Sequence, residues 1–316
     1  MSEPLRYYPD DQPGILRRRC GRGFSYVAPD GTRIDRGAER KRLDALAVPP
    51  AYDDVWMSPF ANGHLQATGR DARRRKQYRY HPVWVEERAR DKYADLPAFG
   101  EGLPRLRRRI RADLKGEAGE ERFALAAAAA LIDRMALRAG SEAYTEQNGS
   151  YGALTLRNRH LTLDGSKVRL DYTAKGGQRV RKARSDRTLA RALEAVQDHG
   201  GATLFSFVGA DGAVRSLRSE TLNAYLAEHT ATNATAKTFR TWAGSVAAFD
   251  VARQGGATIK AMAAAAAERL HNTPTIARNS YIHPEVIALA GGEALGAADP
   301  PAELTQAEAG FLDLLA

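Results

Sequence analysis

The chain has 316 residues, 43% of them hydrophobic and 27% charged, which is enough for one large or two ordinary globular domains and excludes a wholly disordered chain. Its one cysteine, Cys20, excludes an internal disulfide, and no Cys/His cluster has the spacing of a zinc site. No apolar run reaches the roughly 18 residues of a membrane span, and the initial MSEPLRYYPD lacks the apolar core of a signal peptide. We therefore expect a cytoplasmic protein without a membrane contact.

The formal net charge is +9, and it is unevenly distributed along the chain. Three segments each hold six Lys or Arg residues and one acid: residues 70–79, 105–115 and 175–187. Residues 284–316, by contrast, hold six acids and no Lys or Arg. Because Lys and Arg displace condensed counterions from phosphates, a polyanion is the natural partner of the basic segments, although a solvated basic surface would carry the same charges.

The first part of the chain has the pattern of short strands separated by turns. Aromatic and β-branched residues flank Pro29-Asp30-Gly31 and predict a hairpin over residues 23–34. Further strands are predicted at 53–59, after the Pro49-Pro50 break, and at 64–69. This part is therefore expected to be a small β-rich domain.

Helical patterns dominate beyond Pro82. Predicted helices lie at residues 84–93, 103–115, 121–139 with Gly140 as the stop, from 187 onward, and at 219–229, 237–254 and 258–270. Residues 150–172 instead alternate with period two, and Asp164-Gly165 and Gly176-Gly177 are turn signals.

These patterns predict an α+β protein with two domains. Residues 1–85 would form the β-rich domain, and residues 86–316 a mostly helical domain that contains a small antiparallel sheet and ends in the acidic tail.

Motifs for the common cofactors are missing from the sequence. There is no GxxxxGK[ST] nucleotide loop, no complete GxGxxG, no HExxH, no GxSxG and no calcium-binding loop, and the seven histidines are scattered. We therefore expect no metal, nucleotide or other cofactor. Any catalysis would come from Ser, Tyr, Lys, Arg or Asn side chains.

Four short segments combine such side chains. They are LRAG (137–140), YTAKGGQ (172–178), KTFRTWAGS (237–245) and LHNTPTIARNSYIHPEV (270–286). Taken singly, a tyrosine in such a segment is an ordinary packed aromatic, and an arginine is an ordinary surface residue of a helix.

Together these segments resemble the type IB DNA topoisomerases, in particular the compact poxvirus and bacterial enzymes. RDARRRKQYRYHPVW (70–84) is similar to their GRxQYxY DNA-contact segment, so the likeness spans roughly residues 50–286. The resemblance implies that a tyrosine attacks a DNA phosphodiester, forms a 3′-phosphotyrosyl link and releases a 5′-hydroxyl. The duplex then rotates and the strand is resealed without ATP.

The resemblance also implies a role for individual residues. Tyr281 would be the nucleophile, and Arg138 and Arg240 would hold the non-bridging phosphate oxygens. Lys175 would be the general acid that protonates the leaving 5′-oxygen, or else only a phosphate contact. Lys237 would add a further phosphate contact.

One position departs from the family pattern. Many members have a histidine nine residues before the tyrosine, where this chain has Asn272. An asparagine NH₂ group can donate the same hydrogen bond, so the resemblance assigns this role to Asn272. The neighbouring His271 could fill it only with a local shift of one residue.

In the N-terminal domain, the family's major-groove positions fall on Gln77, Tyr78 and Tyr80. The phosphate-binding side chains would be those of Arg73, Arg74, Arg75 and Lys76. Arg79 stands where the family often has an aromatic residue, so no sequence preference follows. An ordinary edge strand is the alternative for this segment.

Two other functions are compatible with parts of the pattern. A tyrosine recombinase shares the Arg, Lys, Arg and Tyr set, but it usually has His-x-x-Arg where this chain has Lys237-Thr-Phe-Arg240, and its N-terminal domain is helical. A non-catalytic duplex DNA-binding protein would explain only the charge. The resemblance favours a monomeric, C-shaped clamp on duplex DNA in the cytoplasm, associated with the nucleoid.

Overall fold

The computed structural model describes residues 4–197, 201–297 and 299–316. The chain divides into two compact units, Met1–Tyr93 and Ala94–Ala316. The predicted boundary at residue 85 lies inside the helix Pro82–Ala94, and the units part at the end of that helix.

The N-terminal unit is built on a six-stranded antiparallel sheet with the strand order β3-β2-β1-β4-β5-β6. Its elements are β1 (Ile15–Cys20), β2 (Gly23–Val27), β3 (Arg33–Ile34), α1 (Ala38–Ala45), β4 (Asp53–Met57), β5 (Leu65–Arg70), β6 (Lys76–Tyr80) and α2 (Pro82–Ala94). The core of this unit includes Ile15, Tyr26, Leu43 and Met57. Burial of these side chains holds α1 against one face of the sheet.

The predicted hairpin over residues 23–34 is confirmed, with Val27 opposite Arg33, and the two further predicted strands are β4 and β5. Strand β1 was not predicted, because its sequence ILRRRC has little apolar alternation. It is held in the sheet partly by the Arg17 guanidinium, which donates to the carbonyl oxygens of Val48, Pro49 and Tyr52 at 2.7–2.9 Å.

The C-terminal unit is mostly helical. Its helices are α3 (Leu96–Asp113), α4 (Glu121–Met135), α5 (Glu142–Asn148), α6 (Arg187–Gln197), α7 (Ser219–Thr230), α8 (Ala236–Ala252), α9 (Ile259–Leu270), α10 (Pro274–Tyr281), α11 (Pro284–Ala288) and α12 (Gln306–Leu315). A three-stranded antiparallel sheet joins β7 (Leu161–Asp164), β8 (Lys167–Ala174) and β9 (Gln178–Ser185), and a separate hairpin joins β10 (Ser206–Val208) and β11 (Val214–Ser216). The α+β class is therefore as predicted, with small antiparallel sheets in both units.

Helix α3 begins seven residues before the predicted start, and its glycines explain the difference. A Cβ atom on Gly100 would lie 2.4 Å from the Trp242 ring, and one on Gly102 would lie 2.6 Å from the Thr230 carbonyl oxygen. Glycine at these positions lets neighbouring helices approach closely and does not end the helix.

Helix α4 ends at Met135, earlier than the predicted residue 139. Ala136 turns into the left-handed region at φ 53°, so Arg138 lies in a loop and not on a helix. The predicted period-two stretch over 150–172 is wrong in its first part, which forms two 3₁₀ turns. There the amides of Ala153 and Leu154 donate to the carbonyl oxygens of the loop after α4, at 2.8 and 2.7 Å, instead of pairing in a sheet.

The basic segment 105–115 is largely engaged inside the fold. The buried Arg107 guanidinium pairs with Asp133 at 2.8 Å and with Glu308 of α12 at 2.7 Å. Arg111 pairs with Glu303. The acidic tail thus packs on α3 and neutralises part of its charge. The basic segment 105–115 therefore contributes less to a polyanion-binding surface than its composition suggests.

Within the described ranges, no helix is both long and apolar enough to cross a membrane.

Candidate active site

Arg240 occupies the centre of the candidate site. It is on the buried face of α8 and is only 3% exposed. Its Nη1 donates to the Ala136 carbonyl oxygen at 2.5 Å, and its Nη2 donates to that of Leu270 at 3.1 Å. These carbonyls belong to the C-terminal ends of α4 and α9, where unpaired carbonyl groups and the helix dipole favour a cation.

Two other predicted residues follow those helix ends. Each helix is terminated by a residue in the left-handed conformation, Ala136 at φ 53° and His271 at φ 55°. Arg138 comes two residues after Ala136 and Asn272 directly after His271. The Arg138 Nη2 donates to the Asn272 Oδ1 at 3.0 Å. The similar geometry of the two ends therefore brings together side chains that are 134 positions apart.

Tyr281 is the last residue of α10 and is 8% exposed. The Tyr281 side chain packs with Ala136 and Leu270. A Cβ atom added to Gly244 would lie 3.1 Å from the Cβ of Tyr281. The Ser245 Oγ donates to the Tyr281 carbonyl oxygen at 3.1 Å. The glycine and serine of the AGS motif thus allow α10 to lie close to α8, on the face that carries Arg240.

The charges around Tyr281 favour its ionised form. Burial raises the pKa of its phenol, but the positive charges of Arg240, Arg138 and Lys237 outweigh burial, so the pKa of Tyr281 is lowered from 10.0. The Arg240 guanidinium carbon lies 5.0 Å from the centre of the Tyr281 ring. Burial in turn lowers the pKa of the Arg240 guanidinium.

Two buried nitrogens at this site lack a hydrogen-bond partner among the described residues: the Nε of Arg240 and the Nδ2 of Asn272. Buried N–H groups are nearly always paired, and an unpaired one costs free energy. Both are pure donors, and one belongs to a guanidinium, so the group that would satisfy them is an anion with several acceptor oxygens.

Lys175 lies at the β8–β9 turn, where Gly176 and Gly177 have φ values of 83° and 76° that favour glycine. Its side chain is exposed at the mouth of a small cavity that is also lined by Arg138, Tyr172 and Arg240. Three of the five predicted catalytic residues, Arg138, Lys175 and Arg240, thus line this cavity. Asn272 is linked to it by its hydrogen bond with Arg138, and Tyr281 by its contact with Arg240. A larger cleft, about 1080 Å³, is lined by none of the five.

Two residues near the site, Lys182 and His271, make contacts that were not predicted. The Lys182 Nζ of β9 donates to the carbonyl oxygens of Met135 and Arg269 at 2.7 and 2.6 Å. The His271 Nε2 lies 3.0 Å from the Arg179 carbonyl oxygen, which can only accept, so this ring nitrogen carries the proton. The alternation of β9, in which Val180 and Lys182 face inward, was the one sequence signal that could have identified Lys182.

The predicted DNA-contacting residues of the N-terminal unit lie on β6 and on the turn before it. Tyr78 and Tyr80 are 51% and 40% exposed and stack on one face with ring centres 6.0 Å apart. Gln77 faces the other way, and its Nε2 donates to Asp71 at 3.0 Å. Alternation therefore presents the two tyrosines together and separates them from Gln77.

The basic turn before β6 is organised by Asp71, which accepts from the backbone amides of Arg73 and Arg75 and pairs with the Arg75 side chain at 2.7 Å. Arg75 thereby lowers the pKa of Asp71 to about 2. Lys76 pairs with Asp10 at 2.5 Å, while Arg73 and Arg74 are exposed.

Lys237, in the first turn of α8, is exposed and contributes to the positive potential at Tyr281. Across the described ranges, no group of three or more His, Cys, Asp or Glu side chains has the arrangement of a metal site.

Comparisons with known proteins identify the family of the chain. The family model described as "Eukaryotic DNA topoisomerase I, catalytic core" matches residues 75–274, and the one described as "Bacterial DNA topoisomerase IB, N-terminal domain" matches residues 23–71. The protein described as "DNA topoisomerase 1B" of Acanthamoeba polyphaga mimivirus is 26% identical over 237 residues, covering 74% of this chain and 70% of the viral one. The first match includes Arg138, Lys175, Arg240 and Asn272 and ends before Tyr281. The chain therefore belongs to the type IB DNA topoisomerases, of the compact viral and bacterial kind, and is an isomerase of this type.

Proposed function

We propose that this enzyme relaxes supercoiled duplex DNA by cutting one strand through a 3′-phosphotyrosyl intermediate, allowing rotation, and resealing the strand without ATP or metal. The observation that carries the proposal is the buried Tyr281 beside Arg240, with the unpartnered Nε of Arg240 and Nδ2 of Asn272 close by. A phosphodiester supplies the acceptor oxygens that these donors lack.

In the first step, the Oη of Tyr281 attacks the phosphorus and the bond from phosphorus to the 5′-oxygen breaks. The positive charges that lower the pKa of Tyr281 make its phenol a better nucleophile near neutral pH. No neighbouring carboxylate is needed for this activation, because electrostatic stabilisation of the phenolate serves the same end.

The developing charge on the non-bridging oxygens is stabilised by Arg138, Arg240 and Asn272. Arg240 is fixed by two backbone carbonyls and Asn272 by Arg138, so these donors are oriented before the substrate binds. Preorganised donors of this kind stabilise a transition state without reorganisation.

Lys175 protonates the leaving 5′-oxygen. It lies at a glycine-rich turn that can approach a DNA backbone closely, beside the cavity that Arg138 and Arg240 line. Its Nζ gives its proton to the 5′-oxygen as the bond from phosphorus breaks, and takes it back during resealing.

We expect the enzyme to act as a cytoplasmic, nucleoid-associated monomer that closes on duplex DNA as a C-shaped clamp. Tyr78 and Tyr80 would contact bases, with Gln77 behind them, and Arg73, Arg74, Arg75, Lys76 and Lys237 would contact phosphates. The exposure of the two tyrosines and of Arg73 and Arg74 supports these roles. The strand-rich N-terminal unit favours this function over that of a recombinase.

The test is relaxation of a supercoiled plasmid in EDTA without ATP. We expect complete relaxation, and trapping with detergent should leave the protein on the 3′ side of the break, which end-labelled duplexes distinguish from the 5′ side. A requirement for ATP or Mg²⁺, or a 5′ attachment, would contradict the proposed chemistry. Binding of DNA without relaxation would favour a non-catalytic DNA-binding protein.

A substitution at Asn272 tests its assigned contact. We expect Asn272→Ala to slow single-turnover cleavage by on the order of 100-fold, as for loss of one oxyanion donor. Asn272→His should retain most of the rate, because an imidazole N–H can replace the amide donor. An alanine variant as fast as wild type would show that Asn272 does not contact the reacting phosphate.

A further inference from the structure

The β8–β9 hairpin is attached at two points to the helix ends that carry the phosphate-binding groups. Lys182 donates to the Met135 and Arg269 carbonyl oxygens at 2.7 and 2.6 Å. His271 donates to the Arg179 carbonyl oxygen at 3.0 Å. Both contacts lie on the strand that follows the Lys175 turn, within eight residues of it.

Lys182 and Arg240 bind the same two helix ends side by side. Lys182 donates hydrogen bonds to the carbonyl oxygens of Met135 and Arg269. Arg240 donates to the carbonyl oxygens of the residues that follow these two, Ala136 and Leu270. One cation comes from the hairpin and the other from α8. The lysine therefore fixes the hairpin to the frame that orients Arg138 and Asn272.

General stabilisation of the fold does not explain a lysine at this position. Burial, together with the positive charges of Arg269 and Arg240, lowers the pKa of Lys182 to about 7. A buried cation beside two arginines is a cost to folding, offset in part by the helix carbonyls it binds. An apolar side chain at this inward-facing position would avoid that cost, but would not bind the helix ends.

We propose that Lys182 and His271 are positioning residues, which hold the hairpin so that Lys175 lies in reach of the 5′-oxygen of the bound phosphodiester. This inference rests on the proposed function and deepens it. It assigns His271 a part in the reaction through the hairpin backbone, while Asn272 contacts the phosphate. It also means that the hairpin is held in place before DNA binds.

The proposed positioning role predicts a measurable difference between substrates with an oxygen and with a sulfur leaving group. If Lys182 and His271 act by positioning the general acid Lys175, replacing them should slow cleavage only of a substrate whose leaving group needs a proton. A 5′-thiol has a pKa of about 8.5, against about 15.7 for water, so a thiolate leaves unprotonated. DNA with sulfur in place of the bridging 5′-oxygen should therefore bypass Lys175 and everything that positions it.

The experiment compares single-turnover cleavage of oxygen and sulfur duplexes at a cleavage site mapped with the wild-type enzyme. His271→Asn keeps a residue that tolerates the left-handed conformation but cannot reach Arg179. We expect it, and Lys182→Met, to cleave the oxygen duplex about 10- to 100-fold more slowly, as for a misplaced catalytic group. Both should cleave the sulfur duplex within about twofold of wild type, since no acid is required there.

Controls separate positioning from loss of structure. His271→Gln keeps a donor of similar reach and should recover much of the oxygen rate, while Lys167→Met, exposed at the far end of the same hairpin, should not affect either rate. His271 is half-exposed, so its variants are expected to keep the wild-type melting temperature even if Lys182→Met does not.

Equal losses on the two duplexes, or no loss for His271→Asn on the oxygen duplex, would overturn the proposal. A failure of the proposed function looks different, because the wild-type enzyme would then form no adduct on either duplex. If Lys175→Ala is not restored by sulfur, Lys175 is not the acid, and the positioning proposal is overturned with that assignment.

Discussion

Replacing Tyr281 with phenylalanine is expected to reduce covalent adduct formation and plasmid relaxation below detection. The substitution removes only the Oη atom, which forms the bond to phosphorus in the proposed reaction. Loss of the nucleophile of a covalent enzyme costs on the order of 10⁶-fold in rate. No other single substitution at the candidate site should reduce catalysis as much.

The fold should tolerate this change. The phenyl ring keeps the packing against Ala136, Leu270 and Gly244. The melting temperature and the affinity for duplex DNA should therefore stay near those of wild type. A matched control is Tyr225→Phe on α7, where a tyrosine that is 4% exposed bonds to Asp113 at 2.9 Å. That variant should still form the adduct.

Adduct formation by Tyr281→Phe would place the nucleophile on another residue. The experiment has particular weight because the catalytic-core match ends at residue 274, seven positions before this tyrosine. Peptide mapping of the wild-type adduct would then identify the residue that carries the DNA.

Local patterns predicted much of the fold. The apolar periodicity of α8 and α9 and the turn signals of the β7–β8–β9 sheet identified these elements within a few residues. These features depend on neighbours in the chain, which is why a sequence pattern carries them. The family resemblance then selected Arg138, Lys175, Arg240 and Asn272, which the structure places around one another.

The remaining features depend on contacts between distant parts of the chain. Helix α4 ends at Met135, where the carbonyl oxygen of the next residue, Ala136, accepts from Arg240, 104 positions later, and no local signal marks that end. Lys182 looked like one more residue of a basic segment, although its amine is bound to two helix ends. Periodicity cannot show which cation meets which carbonyl, because that is decided by tertiary packing.

The acidic tail also makes a long-range contact that its composition does not reveal, through the carboxylate of Glu308. Glu308 of α12 is 7% exposed, pairs with Arg107 at 2.7 Å and accepts from the Trp242 Nε1 at 3.3 Å. Trp242 is on α8, two residues after Arg240. The tail is therefore bonded to the helix that carries Arg240, the central arginine of the candidate active site.

Replacing Glu308 with glutamine is expected to lower the free energy of unfolding by about 3 kcal/mol or more, because removing one partner leaves the Arg107 charge buried and less well paired. Denaturant unfolding of the full chain at pH 7 measures this loss. Glu293→Gln, an exposed acid of the same tail, is the matched control and should change stability by less than about 0.5 kcal/mol. Equal effects of the two substitutions would show that the buried pair adds nothing beyond the charge of the tail.

The pH dependence gives an independent check on the same pair. Burial raises the pKa of Glu308, but Arg107 outweighs it and lowers that pKa from 4.5 to about 2. A carboxylate with a lowered pKa contributes stability that is fully present above pH 4.5 and is lost as the pH falls toward 2. The free energy of unfolding of wild type should therefore fall by roughly 3 kcal/mol more than that of Glu308→Gln across this window. Parallel curves for the two proteins would mean that Glu308 is not held ionised by Arg107, and that α12 is stabilised by its apolar contacts alone.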